Sequence, residues 1–324
     1  MYNPLENLKR RISQSGGFFN AHAHLDRAFT VTEMDMILTK QPLMKKWELV
    51  DEVKKNSSEE DYYQRICYAL RTQQEKGVSS VTTFVDIDPI VEYRAIRGAV
   101  RAKKFAKEIG MELSLASQTL KGVIPNYSRR LLEKCLTEGW LDVIGSLPKA
   151  DKDTDRHLDT VCSMARTAQL PLHVHVDQNN NPTEKETEQL ARKTIQFGIE
   201  GRVTAVHCIS LATHPKNYRQ KVYNLAKDSG LMFVTCPTAW LDHPRNETLM
   251  PFHNALTPVD ELIANGLVVG IGSDNIHDIY KPFCDGDMLT ELRVLLEGCK
   301  IYDSEALFRI ATENGRKTIK KALR

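Results

Sequence analysis

Eight short apolar, β-branched runs recur along this chain, and a stretch with helix spacing follows most of them. No other feature constrains the fold as strongly. The runs lie at 18–21, 80–86, 112–117, 142–146, 170–176, 202–207, 231–236 and 267–272. Between them, 59–76, 91–109, 129–138, 157–168, 184–198, 218–229 and 258–265 carry helical periodicity. Gly77, Gly110, Gly139, Gly230 and Gly266 stand where a helix C-cap precedes the next strand. Strand–helix alternation implies parallel strands with right-handed crossovers, and eight such units are the number that closes a (β/α)8 TIM barrel. An open, doubly wound sheet is the rival. No G-x-G-x-x-G follows the first run, which removes the dinucleotide-binding form of that rival. No linker or internal repeat divides the chain, so it reads as one domain over 1–324, with 1–16 as an N-terminal extension and a final helix over 304–323.

Composition excludes several function classes. The 44 Lys and Arg residues are matched by 42 Asp and Glu, and a net charge of +2 leaves no cationic excess to neutralise nucleic-acid phosphates. No apolar run is long enough to span a bilayer, and the first ten residues lack the uninterrupted apolar core of a signal peptide. The seven cysteines contain no C-x-x-C pair, and an odd, dispersed set reads as reduced, mostly buried thiols. The expectation is a cytoplasmic protein that acts on a small molecule and partners neither nucleic acid nor membrane. A homo-oligomer stays open.

A barrel of this kind carries its active site at the C-terminal ends of its strands. The first strand ends in His22-Ala-His24, and two histidines at i and i+2 on an extended chain point to the same side. The fifth carries His173-Val-His175, the sixth ends at His207, and the eighth runs into Asp274. Taken singly, each has a plain structural explanation: a packed histidine, or an aspartate capping a loop. Together they converge on one barrel mouth, and imidazoles plus one carboxylate make a site suited to one divalent ion, Zn²⁺ or Fe²⁺, with a position left for water. His157, His214, His243, His253 and His277 fall on helices or loops, where structural roles are expected. No G-x-S-x-G elbow and no phosphate loop is present. Arg27, just after the first histidine pair, is either a rim salt bridge or a binder of a substrate carbonyl or carboxylate.

Four segments in order, Asn20-Ala-His-Ala-His-Leu-Asp-Arg, His175-Val-Asp-Gln, Arg202-Val-Thr-Ala-Val-His-Cys and Gly272-Ser-Asp-Asn-Ile-His-Asp, resemble the amidohydrolase superfamily, and within it the cytosine deaminase-like branch. Pro282-Phe-Cys-Asp-Gly-Asp-Met-Leu is also similar to the stretch after strand eight in the triazine-degrading N-isopropylammelide isopropylaminohydrolases. The resemblance implies His22, His24, His175 and Asp274 as metal ligands, His175 being chosen over His173 because Gln178, three residues on, occupies the place of the family's catalytic Glu. It further implies that His207 orients water or substrate, Gln118 hydrogen-bonds the ring, Asn275 contacts substrate, and Asp274 also takes the water's proton. His173 becomes an inward-facing neighbour on the substrate side. Two departures stand out. Gln178 cannot carry a proton as Glu does, and the flanking β-sandwich typical of the family is expected to be absent or vestigial. The implied activity is metal-dependent hydrolysis of a C–N bond, foremost deamination of a cytosine-like or triazine-like ring. The alternatives are a cyclic amidase or ureide hydrolase, and a metal-binding barrel without catalysis.

Overall fold

A computed structural model describes residues 2–41, 43–241, 248 and 254–320. All eight expected strands are present: β1 (Phe18–Ala23), β2 (Val78–Asp86), β3 (Glu112–Gln118), β4 (Ile144–Ser146), β5 (Leu172–Val176), β6 (Val203–His207), β7 (Met232–Thr235) and β8 (Val269–Ile271). Every pairing is parallel. One sheet runs β1-β2-β3, the other β4-β5-β6-β7-β8. Two parallel bridges, Ala116 with Val143 and Ala23 with Asp274, join them edge to edge. At the second seam the Asp274 N–H donates to the His22 carbonyl at 3.0 Å and the His24 N–H to the Asp274 carbonyl at 3.3 Å. The strands therefore run in one circle, the (β/α)8 barrel. Among the described residues no strand lies outside it.

The helices are α1 (Pro4–Gln14), α2 (Leu43–Asn56), α3 (Glu59–Glu75), α4 (Arg94–Glu108), α5 (Asn126–Thr137), α6 (Thr154–Ala168), α7 (Glu186–Gln196), α8 (Lys216–Ser229), α9 (Val259–Ala264), α10 (Met288–Gly298), α11 (Ser304–Ala311) and α12 (Glu313–Thr318). Those from α3 to α9 coincide with the expected helical stretches. Strands buried on both faces read as continuous apolar runs, and β5 is buried at every position. On α4 the buried face is Ala95, Ile96, Gly98, Ala99, Ala102 and Ala106, mostly small enough for close docking. A Cβ on Gly98 of that face would come within 2.8 Å of the Glu59 carbonyl on α3. Gly77, Gly110, Gly139, Gly230 and Gly266 all have positive φ, as helix C-caps require.

Periodicity left three parts unread. α1 seats Leu8 and Ile12 against the barrel's underside. A 3-10 turn (Glu33–Lys40) and α2 form an insertion between β1 and α3. The expected final helix is two helices, broken at Thr312, with residues 321–324 outside the described set. Gly315 on α12 lies so close to Phe19 that a Cβ would come within 2.4 Å of that ring. Just beyond, Ile319 packs on both groups of bore-filling residues, Phe19, Ala21, Val206 and Val234 on one side and Phe84, Ala116 and Val143 on the other. No described helix is long and apolar enough to cross a membrane, and all seven cysteines are free.

Candidate active site

The strand ends that carry polar residues also carry strained backbone. His207 (φ 77°), Cys208 (φ 53°), Asp177 (φ 50°) and Asp274 (φ 60°) occupy the left-handed region, which side-chain-bearing residues enter at a cost of order 1–3 kcal/mol each. At His207 and Asp274 the turned residue lines the mouth, whereas Asp177 accepts from the backbone N–H groups of Glu186 and Thr187 at the start of α7. Gly272 allows β8 to press against β1. A Cβ there would stand 2.6 Å from both the Cβ and the carbonyl oxygen of His22.

His22, His24, His175, His207 and Asp274 meet at one point, all of them buried. Ring centroids of His22 lie 4.9 Å from His24, 4.8 Å from His175 and 5.4 Å from His207. Phe84 forms an apolar floor, 4.4 Å from His22 and 4.8 Å from His175. The Asp274 Oδ1 sits 3.3 Å from His24 Nε2 and 3.6 Å from His22 Nε2. Donor atoms about 2.0–2.1 Å from a shared tetrahedral ion are roughly 3.3–3.4 Å apart, so these spacings fit a single cation. Donor atoms of His22, His24 and His175 lie within 4.8 Å of one another, as do those of His22, His207 and Asp274.

Protonation states fit as well. Burial, reinforced by the neighbouring imidazoles, holds His175 well below the usual histidine range. Burial followed by the Arg27 charge does the same for His24. Asp274 is pushed up by burial, yet the adjoining His22 and His24 rings, followed by His207, outweigh this and keep its carboxylate well below the usual range. Neutral imidazoles beside an ionised carboxylate are what a divalent ion requires. The Nδ1 of His175 donates to the Ser146 carbonyl at 3.1 Å, which turns the Nε2 lone pair inward. That Nε2, and both ring nitrogens of His22, are buried without a hydrogen-bond partner among the described residues. Orphaned nitrogens around one point are the signature of a site built for a cation.

Above the cluster opens a cavity of about 70 Å³. Of the residues singled out from sequence, His24, Arg27, Gln118, His175, Gln178 and His207 line it, as do Asp274 and Asn275. The Gln118 Oε1 has no partner among the described residues. Asn275 donates through Nδ2 to the Asp278 carboxylate. Arg27 Nη2 lies 2.7 Å from His24 Nδ1.

His173 corrects an expectation. It shares the inward face of β5 with His175 but sits one layer deeper, where its Nε2 donates to the Thr318 carbonyl of α12 at 2.8 Å. It does not line the cavity, and burial lowers its imidazole to about 4. It is a bore residue, not a substrate contact. His157, His214 and His277 are tied respectively to Asp151, the Glu184 carbonyl and the Pro282 carbonyl. His243 and His253 lie outside the described residues.

Sequence reasoning missed the walls. Trp47 arrives from α2, Leu120 and Leu147 from loops after β3 and β4, Ile209 and Ala239 from loops after β6 and β7, and Tyr280 from the loop after β8. Trp47, Leu120, Leu147 and Tyr280 pack together with Val50 and Ile279 as a separate small apolar cluster over the mouth. One cue was present: a tryptophan in the long stretch between the first strand and its expected helix.

Comparison with known proteins agrees with this architecture. The chain is 48% identical over 261 residues, 79% of its length and 94% of the relative's, to a Haemophilus influenzae protein described as uncharacterized. It is 27% identical over 281 residues, 85% of its length and 66% of the relative's, to the N-isopropylammelide isopropyl amidohydrolase of a Pseudomonas species. Among solved structures it superposes on 5-methylcytosine deaminase from Klebsiella pneumoniae liganded with 5-fluorocytosine with a TM-score of 0.85 at 25% identity, covering 94% of this chain and 74% of that one. Residues 33–324 match the model of the amidohydrolase family. With the cytosine deaminase-like members as its neighbours, this chain belongs to the amidohydrolase family.

Proposed function

We propose that this hydrolase removes an amino group, as ammonia or an amine, from a small cytosine-like or triazine-like ring, with His22, His24, His175 and Asp274 holding one divalent ion, Zn²⁺ or Fe²⁺. The observation that carries the reading is the set of orphaned, inward-turned imidazole nitrogens beside an ionised carboxylate, under a cavity with an unpartnered amide oxygen. When bound, such an ion lowers the pKa of water towards about 7 and supplies the nucleophile at neutral pH. The chain's own groups do the rest. Asp274 accepts the proton of the attacking water. His207, held across the mouth by its left-handed backbone, donates to the oxygen that becomes bonded to the ring carbon, the C=N electron pair moves to the ring nitrogen, and Asp274 returns its proton to the departing amino group. Gln118 fixes the ring through its free Oε1, and Asn275 and Arg27 stand at the ring's edge. Gln178 orients water or substrate without transferring a proton.

Cavity size favours one ring over two. About 10–15 Å³ of such space holds one water, and a water occupies about 30 Å³ of liquid. A cavity of about 70 Å³ therefore suits a single six-membered ring. Free cysteines suit a reducing, cytoplasmic setting.

The second reading, a cyclic amidase or ureide hydrolase, is favoured by one specific feature. Asp274 is the only carboxylate lining the cavity among the described residues, so no separate acid stands ready to protonate a ring nitrogen. The deciding experiment incubates the metal-loaded protein with aminated pyrimidines and triazines, following ammonia and amine release, and in parallel with cyclic amides and ureides, following ring opening. Release without opening supports deamination, and opening without release supports the amidase. A metal-loaded protein inert on both panels would leave the binding-barrel alternative.

A further inference from the structure

His207 and Cys208 are successive residues in the left-handed region, with φ of 77° and 53°, and neither is a glycine. Such backbone persists only where its surroundings over-determine it. The peptide that joins the two is gripped at both ends. Its N–H, that of Cys208, donates to the Val176 carbonyl of β5 at 3.1 Å. Its carbonyl, that of His207, accepts from the hydroxyl of Thr257, which arrives from the loop before α9 and is 1% exposed. The β6–β7 ladder pairs Thr204, Ala205 and Val206 with Met232, Phe233 and Val234, so Thr257 takes the His207 carbonyl just past the last pair.

Chemistry fixes the direction of these bonds. A hydroxyl has one proton and two lone pairs, an indole N–H only donates, and a carbonyl only accepts. Trp240, in the 3-10 turn (Pro237–Leu241) after β7, donates through Nε1 to Thr257 Oγ1 at 2.9 Å and to Thr235 Oγ1 at 3.1 Å. The Thr235 hydroxyl donates to Thr257 Oγ1 at 3.2 Å. With both lone pairs of Thr257 met by donors, its single proton is directed at His207. Trp240, Thr235 and His207 are all buried. The imidazole of His207 leaves the same Cα whose carbonyl is gripped, so a turn of that peptide would swing the ring. We propose that Thr257 is a positioning residue of this enzyme: by pinning the peptide between His207 and Cys208, it fixes the direction in which the His207 ring meets the attacking oxygen. Trp240 and Thr235 orient its hydroxyl for that task. The inference rests on the functional reading above, in which His207 donates to that oxygen.

The test compares the zinc-loaded parent with Thr257→Val, which keeps the shape and loses the hydroxyl, and Thr257→Ser, which keeps the hydroxyl. The substrate is whichever aminated pyrimidine or triazine the parent turns over. Misplacing a catalytic group by about 1 Å can cost about 100-fold, so Thr257→Val is expected to lower kcat by about 10- to 100-fold. KM is expected to change by less than about 2-fold and zinc content not at all, while Thr257→Ser stays within about 3-fold of the parent kcat. A second readout needs no turnover. With isotope-labelled histidine, the NMR signal of the His207 ring, assigned by its loss in His207→Gln, is expected to be single in the parent and in Thr257→Ser. In Thr257→Val it is expected to shift and broaden. A valine variant with the parent's kcat and ring signal, a serine variant as slow as the valine one, or a loss of activity that tracks loss of zinc would overturn this inference and leave the deaminase reading standing. A parent inert on every aminated ring would overturn the deaminase reading, and the His207 signal alone would then decide the role of Thr257.

Discussion

Gln178 lines the cavity three residues beyond His175, at the position where the cytosine deaminase-like pattern has a proton-carrying Glu. A positioned acid or base contributes about 10²–10⁴-fold to a rate. Gln178→Glu is therefore expected to raise kcat for a cytosine-like ring by about 100-fold, with a new ionisation in the pH–rate profile. An unchanged rate and profile would take Gln178 out of the proton path. The two histidines of β5 make a second contrast. His175→Ala is expected to lose bound metal and all turnover, whereas His173→Ala, which vacates the bore, should keep its metal by elemental analysis. Much of this was legible beforehand, because i and i+2 residues on a strand share a face and strand C-termini share a mouth. That rule put His22 beside His24 and His173 beside His175. It also put His175, two residues nearer the C-terminal end of β5, above His173, but it could not name the Thr318 carbonyl of α12 that claims His173.

Among the elements, β8 and α12 hold the centre from opposite directions. Gly272→Ala would drive a methyl group into His22, so β8 must retreat from β1. A loss of about 1–3 kcal/mol and at least a tenfold weaker metal affinity are expected, read by urea unfolding and metal titration. A variant with native affinity would show that the seam tolerates the shift. From beneath, Ile319→Ala should cost about 2 kcal/mol through the gap left in the bore, with the ligand spacing intact and the metal retained; a variant as stable as the parent would mean the bore closes without it. The helices α3 to α9 were readable because each has one apolar face and a glycine stop. α2 was not, since its covering role depends on Trp47 meeting Leu120, Leu147 and Tyr280, residues from three distant loops. Nor was the break at Thr312, which separates α11 from the helix that brings Gly315 against Phe19.

Over the whole molecule, buried acids outside the centre contribute to the pH dependence of stability. Glu291 on α10 is 1% exposed and accepts from the Thr238 N–H at 2.9 Å and hydroxyl at 2.6 Å, while burial raises its carboxyl from 4.5 to about 7. The folded protein thus holds a proton that the unfolded chain releases above 4.5. Its contribution is present in full below that value and is lost as the pH rises towards about 7, a span worth up to about 3 kcal/mol. Glu291→Gln stays neutral throughout, so urea unfolding at pH 4.5 and 7.5 should show the wild type losing about that much relative to the variant. A difference that does not vary with pH would sink this account. By itself the amino-acid sequence determined the eight strand–helix units and the polar residues that end strands one, five, six and eight, because periodicity and strand-end chemistry are local properties of the chain. Only the tertiary structure decided what claims His173, what roofs the cavity and what holds Asp86 and Asp278. Those outcomes depend on contacts between residues up to about 250 positions apart, such as His22 with Asp274, and no local pattern encodes the distances at which barrel closure sets them.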